Sequence, residues 1–200
     1  FKQKTAYEIG VRLVGSEMCI RDRVITMVRD PVATNVSGLF HNHTWWPAAL
    51  KAECNAGSPG CLDSLGQYFL NSYPHDVPET WFDMELRALY NVDVYAQPFD
   101  PRRGYAVYHS DTADVLLLKL ETLNQVGAAA VRDFLGLAAF ELVPSNTAED
   151  KSYADLYKAF RRQVHLPAAY LDRVYGSRMA RHFYAPEELA AFRGKWSAAQ

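Results

Sequence analysis

Arg29 and Ser37 are the residues of this chain whose types and spacing best suit chemistry. They lie in the segment VRDPVATNVSGLF, where an Arg follows a short apolar run and a Ser comes eight residues later. Asp30 is a preferred helix N-cap and Pro31 suits the first helical position. Arg29 is therefore expected at the carboxyl end of a strand, beside a helix N-terminus. There its guanidinium, the first-turn N–H groups and the Ser37 hydroxyl can together hold a phosphate or sulfate. The competing arrangement pairs Arg29 with Asp30 or a nearby carboxylate and lets Ser37 bond back to a carbonyl. Groups able to take up a proton are Asp83 and Glu85 in WFDMEL, and His41 and His43 at the end of the first helix. Asp83 equally fits a first-turn carboxylate favoured by the helix dipole, and both histidines fit an ordinary surface. Trp45, Trp46, Trp81 and Phe82 suit either stacking on sugar faces or a core.

These residues need a scaffold, and the hydrophobic pattern supplies one. Val24–Val28 (VITMV) reads as a strand buried on both faces. Val32, Val36, Leu39 and Phe40 then recur at helical spacing, with Thr34, Ser37 and His41 on another face. Residues 42–58 read as loop or short helix, and Pro59–Tyr73 as an amphipathic helix capped by Ser58. A helix opens at Pro78 and stops near Asn91. Tyr105–His109 and Val115–Leu120 read as strands, the second apolar enough to be central. Thr122–Leu135 reads as a helix ended by Gly136, and Ser152–Gln163, Pro167–Tyr175 and Pro186–Lys195 as a helical C-terminal third. Strands alternating with helices predict a layered α/β fold with a largely parallel sheet.

Residues 1–23 resemble a translated DNA-library adapter rather than protein: Phe1–Ile9 and Leu13–Asp22 back-translate to two such adapters in one frame. The native chain is expected to begin near Val24, and the leader is set aside in reading the fold. From there about 177 residues remain, enough for one domain with a core. Of 21 basic and 23 acidic residues, 16 and 20 lie from Val24 onward, a net charge of about −4. That balance gives no support to a nucleic-acid or anionic-membrane surface. No apolar run reaches the roughly 18 residues of a membrane span. Cys54 and Cys61 flank a Gly/Pro loop that a disulfide can close in an oxidising compartment, or they stay as two thiols. Their spacing does not favour a metal site.

VRDPVATNVSGLF resembles the 3′-phosphate-binding region of sulfotransferases that use 3′-phosphoadenosine 5′-phosphosulfate (PAPS). In that superfamily a strand ends in Arg-Asp/Asn-Pro, and a Ser eight residues after the Arg shares the 3′-phosphate. The matching positions are Arg29, Asp30, Pro31 and Ser37. VLLLKLETLNQVGAAAVRDFLGL is similar to the superfamily's apolar strand, acidic residue before a leucine, and helix ending in Phe-Leu-Gly. These fall at Val115–Leu120, Glu121, Leu123 and Phe134-Leu135-Gly136; Glu121 itself is read as structural. WFDMEL, VDVY…FD, NTAEDKSY and HFYAPEELAAFRGKWS resemble a narrower family, described as capsular polysaccharide synthesis proteins with an Asn-Lys-Trp-Tyr-Ser motif. Here Gly194-Lys195-Trp196-Ser197 has Gly for Asn and lacks the Tyr.

The resemblance implies a P-loop-like sulfotransferase fold with a mainly parallel sheet. It implies PAPS as sulfuryl donor, a carbohydrate hydroxyl as acceptor, and no metal. Nucleotide contacts would come from Arg29, Ser37 and Lys151, the last near Asn146, and proton transfer from Asp83 or Glu85. The superfamily's phosphosulfate-binding loop belongs upstream of Val24. Residues 24–200 are therefore expected to be a partial domain without that loop and without activity of their own. The alternatives are another nucleotide-dependent enzyme of capsule synthesis, or a non-catalytic protein of that process.

Overall fold

In the computed structural model, which describes residues 21–143 and 152–197, the apolar segment ADVLLLK holds the middle of the sheet. The strands are β1 (Asp22–Val28), β2 (Tyr105–His109) and β3 (Ala113–Lys119), in the order β1-β3-β2. β1 runs parallel to β3, with Val24 opposite Val115 and Val28 opposite Lys119. β2 runs antiparallel to β3, with Tyr105 opposite Leu118, because only Ser110–Thr112 connect them. So short a link allows a hairpin and not a crossover. The sheet is thus mixed rather than mainly parallel. Asp22 and Arg23, assigned above to the leader, occupy the first two positions of β1, opposite Ala113 and Asp114.

β1 is also not the doubly buried strand that VITMV predicts. Ile25 and Met27 are 42% and 53% exposed. The cause lies in the covering layer. Val24 and Val28 face a cluster with Val115, Leu117, Phe82 and Phe183. On the opposite face, α6 (Leu123–Leu135) packs Ala130 and Val131 on Leu116 and Leu118 of β3, reaches Tyr105 and Val107 of β2, and leaves Ile25 and Met27 open. α6 ends at Gly136, whose φ of 68° only glycine adopts cheaply.

The helices ahead of the hairpin start where the sequence places them, with shifts at the caps. α1 (Pro31–His41) is capped by the Asp30 carboxylate, which accepts from the Val32 N–H at 3.0 Å. α2 is Ala48–Asn55 and α3 is Cys61–Ser72. Gly60, not Ser58, stands at the N-cap of α3, with no side-chain hydrogen bond there. α4 (Val77–Trp81) passes through a π-helical turn, Phe82–Arg87, into α5 (Ala88–Tyr90), and the helix stops at Asn91 with φ 53°. α7 (Ala154–Gln163), α8 (Ala168–Tyr175), α9 (Arg178–Phe183) and α10 (Pro186–Ser197) form the expected helical C-terminal third. Only α9 was not legible. None of the described helices is long and apolar enough to cross a membrane.

α1 is the hinge of the packing. Its apolar stripe, Val32, Val36, Leu39 and Phe40, enters a second core with Leu65, Phe69, Phe160, Leu171 and Trp196. Phe40 lies edge-on to Trp46, Tyr157 and Phe160, with ring centroids 5.3 to 5.6 Å apart. Burying a side chain of this kind contributes about 1.5–3 kcal/mol. Cys54 and Cys61 form a disulfide that ties α2 to α3. By loop-closure entropy, a loop this short adds about 2.5 kcal/mol to stability.

Two half-buried histidines, His75 beside this core and His182 beside the sheet-side cluster, link stability to pH. His75 Nε2 lies 2.6 Å from the Phe69 carbonyl, and Tyr170 OH lies 3.0 Å from Nδ1. The carbonyl can only accept, so Nε2 carries the proton and Nδ1 accepts from Tyr170. His182 Nε2 donates to the Val94 carbonyl at 3.0 Å. Burial holds both imidazoles below their ordinary range, against the opposing pull of those carbonyls. The unfolded chain, with histidine near about 6.5, therefore takes up protons before the folded one. This contribution is complete above that value and is lost as pH falls toward the folded values. The urea midpoint is expected to fall between about pH 7 and 5, and to fall less in His75→Gln. An identical pH profile for wild type and variant would show that His75 does not contribute.

Candidate functional site

The turn from β1 into α1 builds the site. Asp30 fixes the turn from both sides. Its backbone N–H donates to Glu121 Oε1 at 2.8 Å, tying it to the end of β3. Its buried carboxylate accepts from Val32 N–H, from Tyr175 OH at 3.1 Å and from Trp196 Nε1 at 3.0 Å. Glu121 Oε2 in turn accepts from Tyr184 OH at 3.1 Å. Burial raises the phenol pKa of Tyr175 and of Tyr184, and the adjacent carboxylates of Asp30 and Glu121 raise each further. Both hydroxyls thus remain donors. Glu121 is structural here, as expected.

With its carboxylate satisfied in this way, Asp30 does not pair with Arg29. Among the described residues, Arg29 has no hydrogen bond or ion pair, and Ser37 Oγ has no hydrogen bond. Both line one cavity of about 340 Å³, together with Thr34, Trp81 and Met179. The rest of its wall is apolar: Met27, Val28, Val77, Pro78, Phe82 and Leu120. Arg29 is its only charged wall residue among those described. An unpaired guanidinium and a free hydroxyl in an otherwise apolar cavity suit an anion attached to a less polar body.

Lys195 does not line the cavity, but it feels the charge of Arg29. Lys195, beside Trp196 on α10, is pushed below the usual ammonium range first by burial, then by the positive charges of Arg161 and Arg29. Asp30 and Glu121 oppose that shift. The positive charges of Arg161 and Arg29 and the carboxylates of Asp30 and Glu121 thus act on Lys195 in opposite directions. Nothing in the local sequence around Lys195, Trp196 or Arg161 assigns any of them a role. Their proximity depends on packing between residues far apart in the chain.

The other candidates scatter. Asp83 and Glu85 are exposed on the π-helical turn and do not line the cavity; Asp83 lies 3.8 Å from Arg87. His41 is exposed, and His43 Nδ1 is 3.1 Å from the Phe40 carbonyl. Of the four aromatics, Trp46 and Phe82 are buried, with Trp46 Nε1 donating to the Leu39 carbonyl at 2.9 Å. Trp81 lines the Arg29 cavity, and Trp45 is exposed and does not line it. Lys151 and Asn146 lie outside the described residues.

The NKWYS family model, described as "Putative capsular polysaccharide synthesis protein", matches residues 63–185. That span contains Trp81, Leu120 and Met179 of the cavity wall. It begins after Arg29 and Ser37 and ends before Lys195 and Trp196. No curated protein and no solved structure matches the chain.

Proposed function

We propose, from the premise that this chain belongs to the NKWYS family of capsular polysaccharide synthesis proteins, that its Arg29 cavity holds the 3′-phosphate end of PAPS in an enzyme that moves a sulfuryl group to a carbohydrate hydroxyl. The observation that carries this reading is the unpaired Arg29 guanidinium beside Ser37 in one cavity, at the end of a strand and the start of a helix. In such a site Arg29 and Ser37 hold a phosphate of the nucleotide, with Lys151 as a further contact. The apolar wall receives the nucleoside. In the reaction, an acceptor oxygen attacks sulfur while the sulfur–oxygen bond to the nucleotide breaks. The acceptor proton passes to a base, and 3′,5′-phosphoadenosine leaves. Charge on that leaving group is what nearby cations stabilise. The P-loop-like sulfotransferase fold stays part of this proposal, since β1, its turn and α1 are the elements such a site requires.

One observation favours the second reading, a capsule-synthesis protein that binds a nucleotide or another anion without catalysis. Among the described residues of the cavity wall there is no carboxylate and no imidazole to take the acceptor proton. Calorimetric titration with 3′,5′-phosphoadenosine, on a version that carries the superfamily's phosphosulfate-binding loop, tests both. Binding is expected, and Arg29→Ala should weaken it by about 1.5–3 kcal/mol, the worth of a charge-assisted contact. Ser37→Ala should cost about 1 kcal/mol, because a neutral donor is lost from an anion with other partners. Equal affinity in wild type and Arg29→Ala would remove the donor-site assignment.

A further inference from the structure

Next to the Arg29 cavity lies a groove of about 190 Å³, and the two share Thr34 and Val77 as a common wall. Its character differs from that of its neighbour. The residues lining it include Asn42, Tyr68, Tyr73 and Trp45, and among the described residues none is charged. Trp45 is 74% exposed, an expensive way to leave an indole in a chain with so many buried aromatics. Tyr73 is held in the groove by stacking on Phe69, with ring centroids 5.7 Å apart and planes 25° from parallel. Gly38 makes room for it, since a Cβ there would stand 2.3 Å from the Tyr73 hydroxyl. That hydroxyl and the Asn42 side chain make no hydrogen bond among the described residues, leaving neutral donors and acceptors beside aromatic faces.

We infer that this groove binds one neutral hexose ring of the acceptor polysaccharide. A pyranose presents an apolar C–H face and a rim of hydroxyls. Aromatic rings meet the first, and amide or phenol groups meet the second. The absence of charge in the lining argues against a uronate or sulfated ring in this position, whose anion would be desolvated without a partner. The shared Thr34 and Val77 put a ring in the groove within reach of the Arg29 cavity. The inference rests on the donor reading of the neighbouring cavity for the direction of transfer, while binding itself can be tested alone.

Saturation-transfer NMR with neutral tetrasaccharides of glucose, galactose and mannose, in the absence of nucleotide, provides that test. Saturable millimolar binding of at least one is expected. Trp45→Ala should weaken it about tenfold, and Tyr73→Phe should weaken it severalfold. Arg29→Ala should leave it unchanged. Trp45 is on the surface, so its replacement does not threaten the fold. Binding of no neutral tetrasaccharide overturns the inference, as does equal binding by Trp45→Ala or tighter binding of a hyaluronan tetrasaccharide than of every neutral one. If sugars bind through Trp45 while 3′,5′-phosphoadenosine does not bind, the donor reading fails and the groove stands. If the nucleotide binds and no sugar does, the groove fails and the donor reading stands.

Discussion

Glu188→Ala is expected to lower the free energy of unfolding by about 3 kcal/mol or more, measured by urea denaturation. The reason is Lys119, a charged residue at the carboxyl end of the central strand with 0% of its side chain exposed. Its ammonium donates to Glu188 Oε1 at 2.6 Å and to the Pro101 carbonyl at 2.8 Å, with the Tyr184 ring centroid 5.2 Å away. Removing Glu188 leaves a buried cation with one carbonyl and a ring face. It also removes the Oε2 acceptor of the Ala185 N–H at the start of α10, a capping interaction worth about 1 kcal/mol. Glu188 itself is 31% exposed, so water can reach part of the gap, and the loss belongs at the low end of the range for broken buried pairs. Replacing both partners, as Lys119→Met with Glu188→Leu, should recover most of the loss, since no charge is then left unpaired. A loss under about 1 kcal/mol in Glu188→Ala would mean that the pair behaves as a surface ion pair.

This pair also shows where a sequence stops being informative. VLLLK announces a buried strand, and its hydrophobic run places β3 at the centre correctly. Nothing local says that the lysine ending it goes into the interior, because its carboxylate lies 69 residues away. Local signals held where the cause is local. Asp30-Pro31 starts α1, Asn91 and Gly136 stop their helices, and Leu62, Leu65 and Phe69 set the face of α3. Signals that depend on neighbours failed. VITMV looks the same whether one face is covered or two, and only the reach of α6 decides that Ile25 and Met27 stay open. The sign of the β2–β3 pairing follows from a three-residue connection that composition does not distinguish from an irregular loop. At the site, Arg29 and Ser37 were legible because one strand–helix turn carries both. Asp83 and Glu85 stand out by residue type within WFDMEL, and the π-helical turn that carries them holds them on the surface. Lys195 feels Arg161 and Arg29 from a helix remote in sequence, so no spacing rule could have found that coupling.

Trp196→Ala is expected to cost about 3–5 kcal/mol, the usual range for emptying a buried aromatic site. It is also expected to disturb the proposed anion site from a distance. The indole is 2% exposed and packs in the α1 core, while its N–H ends on Asp30 Oδ2. Asp30 links three things at once: the cap of α1, the Tyr175 hydroxyl, and the backbone that presents Arg29. Trp196→Phe separates the contributions. It keeps most of the ring volume but leaves one carboxylate oxygen without its donor, a cost of about 1–3 kcal/mol. With Oδ2 unpaired, Asp30 becomes free to turn toward the guanidinium of Arg29, which has no other partner among the described residues. Such a pair would compete with any bound anion. The phenylalanine variant should therefore remain folded at room temperature yet bind 3′,5′-phosphoadenosine more weakly than wild type. Adding Asp30→Asn to it should restore part of that affinity by removing the competing charge. A Trp196→Phe protein that loses stability but keeps full affinity would show that Trp196 serves the core alone, and that the Asp30 network does not hold Arg29 ready for its ligand.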